Sequence, residues 1–249
     1  MERFERNCIN WSDHVLTVSD HDRAIFSRAT NPSRITVIPT GVDIDYYRPR
    51  ADLEKPNTLV FTGSMDWMPN EDGMVFFIKQ IWPRIREQVP DASVSIVGRC
   101  PSDALLELAA RQQNISVTGR VEDIRPHVHH GSVYIVPLRI GSGTRLKIFE
   151  AMAMGKPVVS TTIGAEGLPV QPGRDIVLAD GAEPFASAVV ALLQDPIRRV
   201  ELGRAARNLV EEKHSWDSVV KPFEEVLEKL TGLGVSAKQP NGRVTNLSS

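Results

Sequence analysis

Apolar residues fall into two rhythms along this chain. Short β-branched runs at 58–61, 93–97, 115–118, 133–136, 157–160 and 176–178 read as strands. Between them, segments at about 71–88, 102–113, 122–130, 144–154 and 182–194 carry apolar positions at helical spacing. Several strand runs are apolar throughout, the pattern of strands covered on both faces. Strand alternating with helix predicts an α/β fold, a doubly wound parallel sheet with its ligand crevice at the strand carboxyl ends. Polar, glycine-bearing turns stand at those ends: Gly63-Ser64, Gly98-Arg99, Gly119-Arg120 and the loop from Gly141 through Ser142 to Gly143.

Both ends of the chain read differently. Residues 1–40 open on a helical stretch, then a strand at 14–18, a helix capped by Ser19 with Asp22 completing a shortened capping box, and a strand at 35–38. One strand–helix unit and a following strand are too little for a domain, so 1–40 is expected to be the tail end of a neighbouring one. Residues 41–56 read as an interdomain connection, 57–195 as the main domain and 196–231 as charged amphipathic helices. From 232 to 249 Ser, Gly, Asn, Pro and Lys dominate, and disorder is expected.

Composition narrows the partners. The 29 basic and 31 acidic residues leave a net charge of −2, with no polybasic run, so no nucleic-acid partner is expected. No apolar run approaches the roughly 20 residues that cross a bilayer, and the start lacks the apolar core of a signal peptide. The two cysteines, Cys8 and Cys100, make neither a disulfide framework nor a metal site, which fits a reducing compartment. A cytoplasmic protein is expected, with the inner membrane face as a second place.

The richest chemistry lies in 141–155. Gly141-Ser142-Gly143-Thr144 follows an apolar strand and opens a helix bearing Arg145, Lys147 and Glu150. Glycine lets a ligand approach the backbone, and amides at a helix start attract anions. Lys147 and Glu150 are three apart and so project from one helix face. Together they form a clamp suited to a sugar nucleotide, with cations and amides on the diphosphate and a carboxylate on ribose hydroxyls. The blander alternatives are a carboxylate serving the helix dipole for Glu150, an ion pair with Glu150 for Lys147, and surface solvation for Arg145. His127, His129 and His130 cluster on one short polar helix without acidic or cysteine support, and read as a solvated helix end. Leu146, Phe149, Met152 and Ala153 read as core, and Trp67 and Met68 as core or interface packing.

These stretches carry a resemblance. Val37-Ile38-Pro39-Thr40-Gly41-Val42-Asp43, Phe61-Thr62-Gly63-Ser64-Met65-Asp66-Trp67-Met68-Pro69-Asn70, Ile96-Val97-Gly98, Val117-Thr118-Gly119-Arg120-Val121-Glu122-Asp123 and 136–160 stand in family order, followed by Gly164-Ala165-Glu166-Gly167-Leu168 and Ser215-Trp216. Over about 14–230 the chain resembles the carboxyl-terminal, donor-binding half of glycosyltransferase family 4, retaining enzymes of the GT-B fold. The resemblance implies two Rossmann-like domains with the active site between them. It also implies that most of an amino-terminal acceptor domain lies outside this chain, in cis as the rest of a longer protein or as a separate polypeptide.

What the resemblance implies for residues is specific. In the family motif two acidic residues flank seven others; Glu150 takes the second place, which holds the donor ribose. Ser142 takes the first, where relatives use an acid on the transferred sugar, and altered sugar recognition follows from that departure. Lys147 and Arg145 are expected on the diphosphate, with the amides of Gly141, Gly143 and Thr144. Many relatives carry Arg and Lys in the first loop, but Ser64 through Asn70 holds no basic residue, so Arg99 and the backbone at Gly63 and Ser64 are expected to share the donor. Val121 and Glu122 mark the strand end where relatives bind the nucleobase through backbone groups. The expected function is retaining transfer of a sugar from a nucleotide-sugar donor to a hydroxyl of a glycan or lipid-linked acceptor, with no cofactor and no metal. The alternatives are a non-catalytic nucleotide-sugar binding module or inactive fragment, and, further off, a sugar-nucleotide epimerase or hydrolase.

Overall fold

Chain order begins with α1 (Glu2–Trp11) and a parallel pair of short strands, β1 (Val15–Thr17) and β2 (Ile35–Val37), joined through α2 (Asp20–Phe26). The structure, a computed structural model, describes residues 2–141 and 145–232. The α2 cap forms as the sequence predicts: Ser19 Oγ accepts from the Asp22 amide at 3.1 Å and donates to the Asp22 carboxylate at 2.6 Å. Two compact units result. One is Pro39–Ser218, and the other takes the described residues of Met1–Ile38 and Val219–Ser249.

The larger unit holds β3 (Thr58–Thr62), α3 (Met68–Phe76), α4 (Trp82–Gln88), β4 (Ser93–Val97), α5 (Asp103–Ala110), β5 (Ile115–Val117) and α6 (Arg125–His130). Then come β6 (Val133–Val136), α7 (Leu146–Ala153), β7 (Val158–Ser160), β8 (Val177–Leu178), α8 (Ala182–Gln194) and α9 (Pro196–Lys213); α10 (Trp216–Thr231) starts at the end of this unit and from Val219 onward belongs to the other. Six strands form one parallel sheet in the order β5-β4-β3-β6-β7-β8. The chain winds outward from β3 to β5, returns to the other side of β3 at β6, and winds outward again. Strand order therefore reverses between β3 and β6, and the loops after these two strands splay apart to leave a crevice. Both faces of the central strands are covered: Leu59, Val60, Phe61, Val133, Ile135, Val136, Val158 and Val159 are fully buried. That explains why these runs lack alternation.

The first long helix starts at Met68, three residues earlier than its apolar spacing predicts, because Pro69 suits a first turn whose amides have no helical acceptor. It reaches α4 through a widened π turn at Phe77–Ile81. Pro83 lacks an N–H and crowds the carbonyl four residues back, and the widened turn just upstream absorbs that conflict.

Residues 42–47, inside the expected interdomain connection at 41–56, pack against the rest of the larger unit. The Val42 amide donates to the His214 carbonyl at 2.7 Å, and the His214 ring stacks on Phe149 with centroids 4.0 Å apart. From α9, Arg207 Nη1 donates to the carbonyls of Ile44 (3.1 Å), Tyr47 (2.9 Å) and Ala153 (2.5 Å). One guanidinium thus ties this segment to the end of α7. Leu146, expected as core, is exposed at the first position of α7, whereas Phe149, Met152 and Ala153 are buried as expected. Trp67 and Met68, expected as core or interface packing, are exposed, which removes the core half of that reading and leaves the interface half standing. His129 is buried, because α6 turns it inward beside Lys156, whose amine donates to the His129 carbonyl at 2.9 Å. The expected tail from residue 233 onward lies outside the described residues.

Candidate donor site

At the reversal point opens a cleft of about 470 Å³, lined by Thr62, Gly63, Ser64, Val97, Gly98, Arg99, Arg120, Val121, Ile124, Lys147 and Glu150. Its floor is built from strand ends and its wall from the first turns of α7. Two glycines make that floor. A Cβ on Gly98 would stand 1.7 Å from the Gly63 carbonyl oxygen, so the ends of β3 and β4 meet backbone to backbone. A Cβ on Gly63 would stand 2.7 Å from Asn70 Nδ2 and 2.8 Å from Lys147 Nζ, so side chains converge over this glycine.

Lys147 reaches in from α7. Its amine donates to Asn70 Oδ1 at 2.7 Å and lies 4.2 Å from the centre of the Phe61 ring. Burial and the neighbouring Arg145 charge push the amine down to about 7, against the opposing pull of Glu150. Asn70 is buried in the first turn of α3, and its Nδ2 donates to the Ser64 carbonyl at 2.7 Å. A single amide therefore fixes both the glycine loop and the lysine.

Glu150 sits one turn further along α7. Burial raises its carboxyl above the ordinary range, opposed by a hydrogen bond from Tyr47 and by the Lys147 charge. Tyr47 Oη donates to Glu150 Oε1 at 3.0 Å, and burial and the carboxylate together raise the phenol well above its ordinary value. Arg99 stands at the rim, where its Nε donates to Ser64 Oγ at 2.7 Å and its Nη2 lies 3.5 Å from Asp66. Ser64 Oγ in turn donates to Asp66 Oδ1 at 2.5 Å.

Of the residues singled out from sequence, the cleft brings together Gly63, Ser64, Arg99, Val121, Lys147 and Glu150. Gly141, Glu122 and Arg145 stand outside its lining. Arg145 is buried with its guanidinium carbon 4.9 Å from the centre of the Trp67 ring, and Gly141, at φ 114°, lies against it. Ser142, Gly143 and Thr144 lie outside the described residues. Sequence reasoning missed Asn70, Tyr47 and Arg120. All three fall within or beside the stretches that carry the family resemblance, but the partners of Asn70 and Tyr47 stand far away in sequence, and the place of Arg120 in the cleft lining depends on the fold. No group of three or more His, Cys, Asp or Glu able to hold a metal occurs among the described residues. A second hollow, about 600 Å³, lies past the other end of α7. Its buried cations serve Glu54 and backbone carbonyls: Lys156 lies 3.4 Å and Arg199 3.6 Å from Glu54.

Residues 56–195, more than half of the chain, match the family described as glycosyl transferases group 1. The chain belongs to that family. A GDP-mannose-dependent alpha-(1-6)-phosphatidylinositol monomannoside mannosyltransferase of Mycobacterium tuberculosis is 29% identical over 242 residues, covering 87% of this chain and 62% of that protein. A D-inositol 3-phosphate glycosyltransferase of Rhodococcus opacus is 26% identical over 240 residues, covering 86% and 52%. This group 1 chain thus spans between about half and two thirds of those relatives. Among solved structures, a glycosyltransferase from Rickettsia africae superimposes with TM-score 0.76 at 17% identity, over 91% of this chain and 66% of that one. Anabaena HepE in complex with UDP and glucose gives 0.72 at 17%, over 93% and 66%. The six-stranded sheet is that of a GT-B glycosyltransferase. Among the described residues no helix is long and apolar enough to cross a membrane.

Proposed function

We propose that this chain supplies the donor-binding half of a retaining glycosyltransferase, moving a sugar from a nucleotide-sugar donor to a hydroxyl of a glycan or lipid-linked acceptor. The observation that carries this reading is the pair Lys147 and Glu150, two ionisable side chains from one turn of α7 facing a cleft at the strand ends. A buried amine near neutrality gains its proton when a dianionic group arrives, and a diphosphate is such a group. The leaving diphosphate gains charge as the glycosidic bond breaks, so a fixed cation beside it lowers the barrier. Lys147 fills that role, with Arg99 and the first amides of α7 in support. Glu150 accepts from the ribose hydroxyls and so fixes the nucleoside. The backbone at Val121 borders the base, and Gly63 and Ser64 admit the phosphates closely. A donor phosphate oxygen takes the acceptor proton on the face the leaving group vacates, and no metal is called for because protein cations balance the charge.

Relatives named for GDP-mannose and a neighbour holding UDP and glucose support a nucleotide-sugar donor. The phosphatidylinositol mannoside in one relative's name supports a lipid-linked acceptor. An amino-terminal acceptor domain, in cis or as a separate chain, completes the enzyme, and its place is the cytoplasm at the inner membrane face. Calorimetric titration with UDP, GDP and ADP tests the reading. One nucleotide is expected to bind, and Glu150→Ala and Lys147→Ala should each weaken it by about tenfold or more. Failure of all three to bind a folded chain would overturn it.

A further inference from the structure

Tyr47 is used by no step above, yet its hydroxyl touches the carboxylate on which that reading places the ribose. The segment carrying it is fixed from several sides. The Tyr47 amide donates to the Asp43 carbonyl at 2.9 Å, its own carbonyl accepts from Arg207, and Asp43 Oδ1 accepts from the amides of Asp45 and Tyr46 at 3.1 and 2.8 Å. The Tyr46 ring meets the Tyr47 ring edge to face, centroids 5.0 Å apart. On its other side Tyr46 carries the Arg125 guanidinium 3.6 Å above its centre, and Arg125 pairs with Asp123 at 2.7 Å. The segment is therefore joined to the start of α6, next to the cleft wall at Val121 and Ile124.

We infer that Tyr47 is a positioning residue for nucleoside recognition: by donating to Glu150 Oε1 it fixes the carboxylate plane so that Oε2 faces the ribose hydroxyls of the bound nucleotide. This rests on the proposed donor site. A carboxylate at the end of three rotatable bonds loses that freedom when a ligand is bound, and a rigid tyrosine that already holds one oxygen removes part of the loss beforehand. The benefit is confined to ligands that have hydroxyls to offer.

The test follows from that restriction. Affinities are measured for UDP, GDP and ADP and for their 2′,3′-dideoxy forms, in the wild type, Tyr47→Phe and Glu150→Ala. In the wild type the best-bound nucleotide should exceed its dideoxy form by tenfold or more. Tyr47→Phe should lower that ratio about three- to tenfold while leaving affinity for the dideoxy nucleotide unchanged, which also shows that the cleft is intact. Equal loss for both ligands, or no loss, would overturn the positioning role. Glu150→Ala separates the two ideas. Collapse of the ratio in Glu150→Ala with an unchanged ratio in Tyr47→Phe rejects Tyr47 alone. A ratio unmoved by Glu150→Ala rejects the ribose reading, and the Tyr47 inference with it, as does absence of binding by every nucleotide.

Discussion

Lys147 concentrates the cost of this site in one atom. Its amine is held beneath the Phe61 ring and against Asn70, where the charged form is poorly solvated. The unfolded chain restores the ordinary value of 10.5, while the folded chain holds the amine at about 7. Between those limits the unfolded state binds the additional proton, so this group's contribution to stability rises with pH across the window. Below pH 7 both states are protonated and the penalty is present in full. Replacing Lys147 with Met is accordingly expected to stabilise the ligand-free protein by about 1–2 kcal/mol at pH 6.5, a few degrees in Tm. The gain should shrink steadily as pH is raised to 10. Thermal unfolding of both proteins at a series of pH values checks this, and a Tm for Lys147→Met that stays below wild type throughout would refute it.

The pairing of Lys147 and Glu150 on one helix face is plain in the sequence, because three-residue spacing on a helix needs no knowledge of the fold. What Lys147 and Glu150 hold on to is not. Their partners, Asn70 and Tyr47, lie 77 and 103 positions away, and nothing local marks an asparagine or a tyrosine as the partner of a distant charge.

At the scale of elements, the site depends on two strand ends meeting without side chains between them. Gly98 and Gly63 stand at the ends of β4 and β3, and the neighbour a Gly98 Cβ would strike is backbone, which cannot swing aside. Gly98→Ala should therefore cost about 3 kcal/mol or more and disorder the crevice floor. Urea unfolding reads the loss directly, and a change below about 1 kcal/mol would show that β3 and β4 can part at little cost. The loop glycines were visible beforehand as turns. Which of them were close-approach positions was not, since that depends on strands being neighbours in the sheet. Helix limits shifted for local reasons: Pro69 drew the first helix earlier, and Pro83 put a π turn where unbroken periodicity suggests an even helix.

The whole molecule divides at Ile38 and Val219, with the cleft, the connection and the α9 clamp all inside Pro39–Ser218. That unit contains its own six-stranded sheet and continuous core. A fragment of residues 39–218 is expected to unfold cooperatively and to bind the preferred nucleotide within about threefold of the longer chain. A fragment that is folded by circular dichroism yet fails to bind would show that residues outside it contribute to the site.

By itself the sequence determined the parallel α/β class, the crevice at the strand ends and the helix face bearing Lys147 and Glu150. These follow from periodicity, from apolar runs that must be covered on both sides, and from the geometry of a single helical turn, all of them short-range constraints. Tertiary structure alone decided that the segment at 42–47 packs against the rest of the larger unit under Arg207, that Asn70 and Tyr47 fix the two ionisable groups, that Arg145 lies beside Trp67 outside the cleft lining, and that His129 is buried. Each of these is a contact between residues far apart along the chain, and such contacts depend on which elements become neighbours once the sheet has closed its order.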